Sequence, residues 1–110
     1  MSLLDDLKAA RALLSNSKRW TKGAFAKRTK RSVVWVSPFS VEATCWCLMG
    51  AIRKVTDDND TANVVAIDAL EECLPEIYHH FALSVFNDAQ TTKHKDVMAL
   101  LDCAIENAGR

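Results

Sequence analysis

The spacing of apolar and polar positions marks four helical segments and one extended region along the chain. From about Leu3 to Asn16, Leu3, Leu7, Ala10 and Leu14 fall at i, i+4, i+7 and i+11, one face of a helix. Ser2 and Asp5 stand at capping-box spacing, and Asp5 and Asp6 suit the positive end of the helix dipole. Gly23-Ala24-Phe25-Ala26 and the β-branched, aromatic run Val33-Val34-Trp35-Val36 read as two strands. The polar stretch from Lys27 to Ser32 joins them, which predicts a β-hairpin over about 23–36.

Ser40 to Val55 is the longest stretch with almost no surface chemistry, and a segment that is apolar nearly all round predicts a buried helix. Val41, Cys45, Leu48, Ile52 and Val55 form its core stripe. Ala43, Cys47 and Gly50 form a small-residue side that lets another backbone approach. Ser40 is the expected cap, with Ser37 as the alternative. A third helix begins at Asp60 or Thr61 and turns Val64, Ile67, Leu70 or Glu71, and Leu74 inward. Pro75 either stops it near Cys73 or opens a short turn from Pro75 to His79. Phe81 to Phe86 reads as a short strand or extended segment closed by a turn at Asn87-Asp88. The last helix runs from about Thr92 to Asn107, with Val97, Leu101, Ala104 and Ala108 on one stripe. The expected fold is α+β and mainly α: a single domain over 1–110, with about four helices around the 40–55 helix plus one hairpin.

Composition keeps this picture and adds a polarity. The chain has 110 residues, 49% hydrophobic and 25% charged, an ordinary globular profile. Net charge is zero, yet Leu7 to Val41 contains no acidic residue and Val55 to Thr92 contains no Lys or Arg. The basic third and acidic middle either attract each other, within the chain or across a symmetric dimer, or leave a basic surface for phosphate groups or an acidic protein. Met1 to Asp6 lacks the basic start and apolar stretch of a signal peptide, and no apolar run approaches the roughly 18 residues that cross a bilayer. The expected location is the cytoplasm, with no membrane contact and reduced thiols at Cys45, Cys47, Cys73 and Cys103.

Candidate chemistry is sparse. On a helix, Cys45 and Cys47 would point about 200° apart, so they could share neither a metal nor a disulfide. There is no C-x-x-C pair, and no metal or cofactor is expected. Cys45-Trp46 resembles the C-W start of the papain-like protease helix, and His79, His80, Asn87 and Asp88 follow in suitable order. A cysteine-dependent hydrolase using Cys45, His79, His80 and Asp88 is therefore the alternative to a non-catalytic protein. Trp20, Phe25 and Trp35 interleave with Lys and Arg, a pattern that stacks and neutralises single-stranded nucleic acid. Neutral net charge disfavours that partner. The contact residues expected from the pattern are Trp20, Lys22, Lys27, Arg28, Lys30, Arg31, Asn87 and Asp88.

Three segments together resemble the domain of unknown function 6197 family of small bacterial and phage proteins. They are Trp20-Thr21-Lys22-Gly23-Ala24-Phe25-Ala26, Cys45-Trp46-Cys47-Leu48-Met49-Gly50-Ala51-Ile52, and Phe86-Asn87-Asp88-Ala89 followed by Val97 to Ile105. The chain departs from the family pattern in its strongly basic hairpin tip and at Gln90-Thr91-Thr92, where relatives tend to carry Pro-Gly. The resemblance implies no enzyme activity. It implies a phage or prophage accessory protein in the host cytoplasm, of a kind that binds a host protein or sequesters a signalling molecule to counter host defence. Combined with the charge pattern, the expected function is non-catalytic capture of a host protein or a small anionic, nucleotide-like ligand by the basic hairpin. A structural homo-oligomer, such as a homodimer pairing acidic and basic faces, is a further alternative.

Overall fold

In the computed structural model, which describes residues 2–110, five α-helices enclose one core and a two-residue strand pair closes one side. Helix α1 is Leu3–Leu13, α2 is Leu48–Val55, α3 is Asp60–Glu71, α4 is Leu83–Asp88 and α5 is His94–Ala108; the strands are β1, Ala26–Lys27, and β2, Cys45–Trp46. Helix α1 starts where the Ser2 hydroxyl accepts the Asp5 amide, a cap that satisfies one of the unpaired first-turn donors. Its stripe is the expected one: Leu7, Ala10 and Leu14 are fully buried. The stripe lies against α5 and α2.

The central helix is shorter than the apolar run predicts. Residues 40–47 are not helical, and α2 begins at Leu48. The Thr44 amide donates to the Lys27 carbonyl and the Cys47 amide to the Phe25 carbonyl, so this stretch pairs antiparallel with β1. A buried apolar run fits a strand as well as a helix, and Thr44 and Trp46 favour the strand. The expected serine caps act locally instead: the Ser37 and Ser40 hydroxyls accept from the Phe39 and Glu42 amides in tight turns. Val41, expected in the core stripe, is fully exposed, whereas Cys45, Leu48 and Ile52 are buried. Helix α2 nonetheless holds the middle of the fold, touching α1, α3, α4 and β2.

The hairpin therefore differs in register from the expectation. Strand β1 pairs with Cys45 and Trp46, while the 33–36 run supplies a single bridge between Lys27 and Trp35. Val33, Val34 and Trp35 are largely exposed.

The Thr56–Asn59 loop turns the chain with Asp57 and Asp58 in left-handed conformations, and Asn59 caps α3 by accepting the Ala62 amide. The inward face of α3 is Asn63, Ala66 and Leu70; Val64, expected inside, is mostly exposed. The Thr56 hydroxyl donates to the Asn63 side chain at 3.0 Å, so a buried polar pair sets this rotation of the helix. Beyond α3 the chain turns, and a 3₁₀ turn at Glu76–Tyr78 follows Pro75. The expected extended segment at 81–86 is instead α4, whose Leu83, Phe86 and Asn87 are buried at i, i+3 and i+4. The Glu71 carboxylate accepts the Leu83 amide at 2.9 Å, satisfying a donor at its positive end.

Gly50 marks the tightest approach. A Cβ there would collide with the Phe25 carbonyl group, and would stand 3.0 Å from the Phe25 Cα. Of the expected small-residue side, Ala43, Cys47 and Gly50, only Gly50 lies on the helix, and there it meets the backbone leading into β1. Gly50→Ala should destabilise the fold by about 3 kcal/mol, because backbone rather than a flexible side chain must move. Thermal unfolding should show Tm lowered by roughly 10 °C or more.

Candidate functional site

Four consecutive residues, Trp20 to Gly23, are fastened to the end of α4. The Trp20 Nε1 donates to Asn87 Oδ1 at 2.8 Å. Asn87 Nδ2 donates to the Thr21 carbonyl at 3.2 Å, Lys22 Nζ to the Ala89 carbonyl at 2.6 Å, and the Gly23 amide to Asp88 Oδ1 at 3.0 Å. Asn87 Oδ1 also accepts the Leu48 amide at 3.1 Å, one of the donors that the start of α2 would otherwise leave unpaired. The second Nδ2 hydrogen goes to Asp88 Oδ1 at 2.9 Å. Both lone pairs and both hydrogens of the Asn87 amide are thereby engaged, and the side chain is buried.

These bonds frame a cavity of about 380 Å³ lined by Gly23, Ala24, Phe25, Trp35, Cys47, Met49, Ser84, Asn87 and Asp88. That volume lies in the range of about 300–1,000 Å³ typical of small-ligand sites. Its walls are aromatic or apolar at Phe25, Trp35 and Met49, with the Asp88 carboxylate and Ser84 as polar groups. Gly23 has φ +82°, and the Lys27 ammonium lies 4.0 Å from where its Cβ would stand. The Arg53 guanidinium lies over the Phe25 ring, 4.8 Å from its centroid. Two cations therefore lie beside cavity-lining residues, Lys27 beside Gly23 and Arg53 over Phe25.

Cys47 caps α2: its Sγ accepts the Gly50 amide at 3.3 Å. Burial pushes its thiol pKa up; bonds from the Gly50 and Met49 amides oppose the rise, and the Asp88 charge adds to it. A thiol in that environment is a poor nucleophile at neutral pH. Cys45 is fully buried, with Sγ 3.6 Å from the Lys27 carbonyl. His79 lies elsewhere, lining a cleft with Asp68, Glu71 and Glu72, and His80 is exposed. The fold sets the Cys45 thiol in the core, His79 in the acidic cleft and Asp88 in the cavity.

The expected contact residues separate into groups. Trp20 is buried, with the Lys22 and Lys30 ammonium groups each 5.4 Å from its ring centroid. The indole is covered, which corrects the expectation that it meets a partner. Asn87 is likewise a structural hub. Lys22 and Lys30 bond backbone carbonyls, the latter that of Ser17, and Arg28 pairs with Glu42 at 2.7 Å. Lys27 and Arg31 have no ion pair among the described residues. Ser84 carries no signal in the sequence, and Met49 stands there only within the second resembling segment, because a lone apolar or hydroxyl residue shows no role until the fold places it. None of the ion pairs among the described residues joins the basic third to the acidic middle: Arg11 reaches Asp102, Arg28 reaches Glu42, and Arg53 reaches Asp58.

A model of a family of unknown function, DUF6197, matches residues 1–107. The chain belongs to this family. No curated protein and no solved structure matches it. In this DUF6197 member the three resembling segments meet in space: Gly23 to Phe25, Cys47 with Met49, and Asn87 with Asp88 each supply a wall of the cavity. Among the described residues, no group of three or more His, Cys, Asp or Glu side chains could hold a metal, and no helix is long and apolar enough to cross a membrane.

Asn87→Ala should cost about 3–5 kcal/mol, because the Trp20 Nε1–H and the Leu48 amide would both be left buried and unpaired. Urea denaturation should show a correspondingly lower midpoint. Thiol labelling of the native protein at pH 8 should leave Cys45 and Cys47 unmodified until denaturant is added. Rapid alkylation of Cys45 in the folded state would instead support a reactive nucleophile.

Proposed function

We propose that this protein is a non-catalytic binding protein that captures a small, nucleotide-like ligand in the cavity between β1, the start of α2 and α4. The observation that carries this reading is the cavity's composition, apolar and aromatic walls with one carboxylate, and beside it Lys27, which has no ion pair among the described residues. A planar ring would lie against Trp35, Phe25 and Met49. A ring amine would donate to the Asp88 carboxylate, and an anionic arm would lie toward Lys27 and Arg53. This moves the expected contact from the tip of the basic segment to its base. Binding of a host nucleotide signal in the cytoplasm, as a phage or prophage protein countering host defence, is the wider role that the family resemblance implies.

A second reading draws on the loop between the strands. Val33, Val34 and Trp35 are mostly exposed, Val41 is fully so, and Arg31 adjoins them. An exposed apolar run beside a cation suits an acidic protein surface with an apolar centre.

The two readings separate in one experiment. Calorimetric titration with linear and cyclic nucleotides should find a ligand that raises Tm by roughly 10 °C at a hundredfold excess over Kd. Trp35→Ala should weaken it about 10–100-fold, as expected for loss of one stacking face, and Lys27→Glu should weaken it further as salt falls. Val33→Asp with Val41→Asp should leave it unchanged. If no nucleotide binds, or binding ignores Trp35 and Lys27, the cavity reading fails.

A further inference from the structure

Two cysteines remain outside the cavity, and they face each other. Cys73 follows the end of α3 and Cys103 lies in α5, 30 residues apart, with their sulfurs 2.6 Å from each other. We propose that Cys73 and Cys103 form a reversible oxidative cross-linking site, in which a hydroperoxide converts the pair to a disulfide tying α3 to α5.

The geometry is nearly that of the product. A disulfide needs the sulfurs about 2.05 Å apart, so closure requires a shift of roughly half an ångström. Both side chains are only half-buried, in contrast with the sealed Cys45 and Cys47. Cys73 also lines a cleft of about 330 Å³ with Tyr78, Phe86 and Leu100, which gives a small oxidant a route to the pair. The Asn107 amide lies 3.4 Å from the Cys73 sulfur and 4.0 Å from that of Cys103, a donor for the thiolate that must form. Partial burial, the Cys103 thiol and the Glu72 charge push the Cys73 pKa up to about 12, so the pair stays protonated at neutral pH until one sulfur is drawn into reaction.

The chemistry balances in two steps. One sulfur of the pair gives up its proton and attacks hydrogen peroxide; the O–O bond breaks, a sulfenic acid forms, and the departing hydroxide leaves as water with that proton. The other sulfur then attacks the sulfenic sulfur. The S–O bond breaks, the S–S bond forms, and the hydroxide leaves as water with the proton of the attacking thiol. Two thiols are oxidised and one peroxide is reduced. The cross-link would enclose α4 and with it Asn87 and Asp88, so it would reach the cavity through the helix that frames it. The proposal stands whether or not that cavity takes a nucleotide.

The test treats the full chain with hydrogen peroxide under native conditions, then alkylates it in denaturant and records intact mass and peptide maps. The expected product is a monomer lighter by two hydrogen atoms, with Cys73 joined to Cys103 and Cys45 and Cys47 still alkylated. Its Tm should rise by roughly 5–15 °C and fall back on adding dithiothreitol. In Cys73→Ser the Cys103 sulfenic acid should persist and react with dimedone. Retention of four alkylatable thiols, a link through Cys45 or Cys47, or covalent dimers alone would overturn the proposal.

Discussion

The Asn87 side chain holds together parts of the chain that have almost no regular hydrogen bonding of their own. Strands of two residues cannot satisfy the backbone between α1 and α2, and buried backbone groups must find partners. A primary amide answers this with two donors and two acceptors in one plane. It takes the Trp20 indole and the Leu48 amide on its oxygen, and gives hydrogens to the Thr21 carbonyl and the Asp88 carboxylate. One side chain on a six-residue helix thus caps α2, anchors the segment entering β1 and orients its acidic neighbour. A carboxylate in its place would lack both donors, and a hydrophobe of the same shape would strand the indole and the Leu48 amide.

The cavity follows from that arrangement. Asp88 Oδ1 is held by the Gly23 amide and by Asn87, which fixes the carboxylate against one wall. Gly50 lets the Phe25 backbone come close to α2, and the Cys47 amide donates to the Phe25 carbonyl at 3.2 Å. These walls are built from bonded backbone and are rigid. The Trp35 wall is different, because only the Lys27 bridge and the Val36 amide, which donates to the Ala26 carbonyl at 3.0 Å, tie that run to β1. A site with fixed polar groups and one movable aromatic face suits a ligand that stacks.

The helices were legible where one face alone is buried. The stripes of α1 and α5 place Leu7, Leu14, Val97 and Leu101 in the core as their spacing predicts. Legibility failed where burial surrounds the chain. Residues 45–47 are apolar and buried on all sides, so periodicity carries no information there, and β1 settles the matter by offering hydrogen bonds. It failed again on α3, where Asn63 lies inside and Val64 outside; polarity pointed the wrong way because the Thr56 hydroxyl supplies a buried partner. Asn87-Asp88 was visible as a candidate site, though as a turn. Its helical setting depends on Glu71, twelve residues earlier in the chain, accepting the Leu83 amide.

The charge asymmetry bears directly on the candidate site. A basic third and an acidic middle of a sequence would lose their outward field if they neutralised each other across the fold. Here the pairs form locally or toward the C-terminal helix, at Arg28–Glu42, Arg53–Asp58 and Arg11–Asp102, and all involve exposed groups, where such contacts contribute little stability. The acidic side chains of α3 instead line their own cleft with His79. The two polarities therefore persist as separate surfaces on a chain of zero net charge. Lys27, half-buried near Gly23, stands in the basic region without an ion pair among the described residues, and partial burial leaves its field less screened than that of a fully exposed lysine.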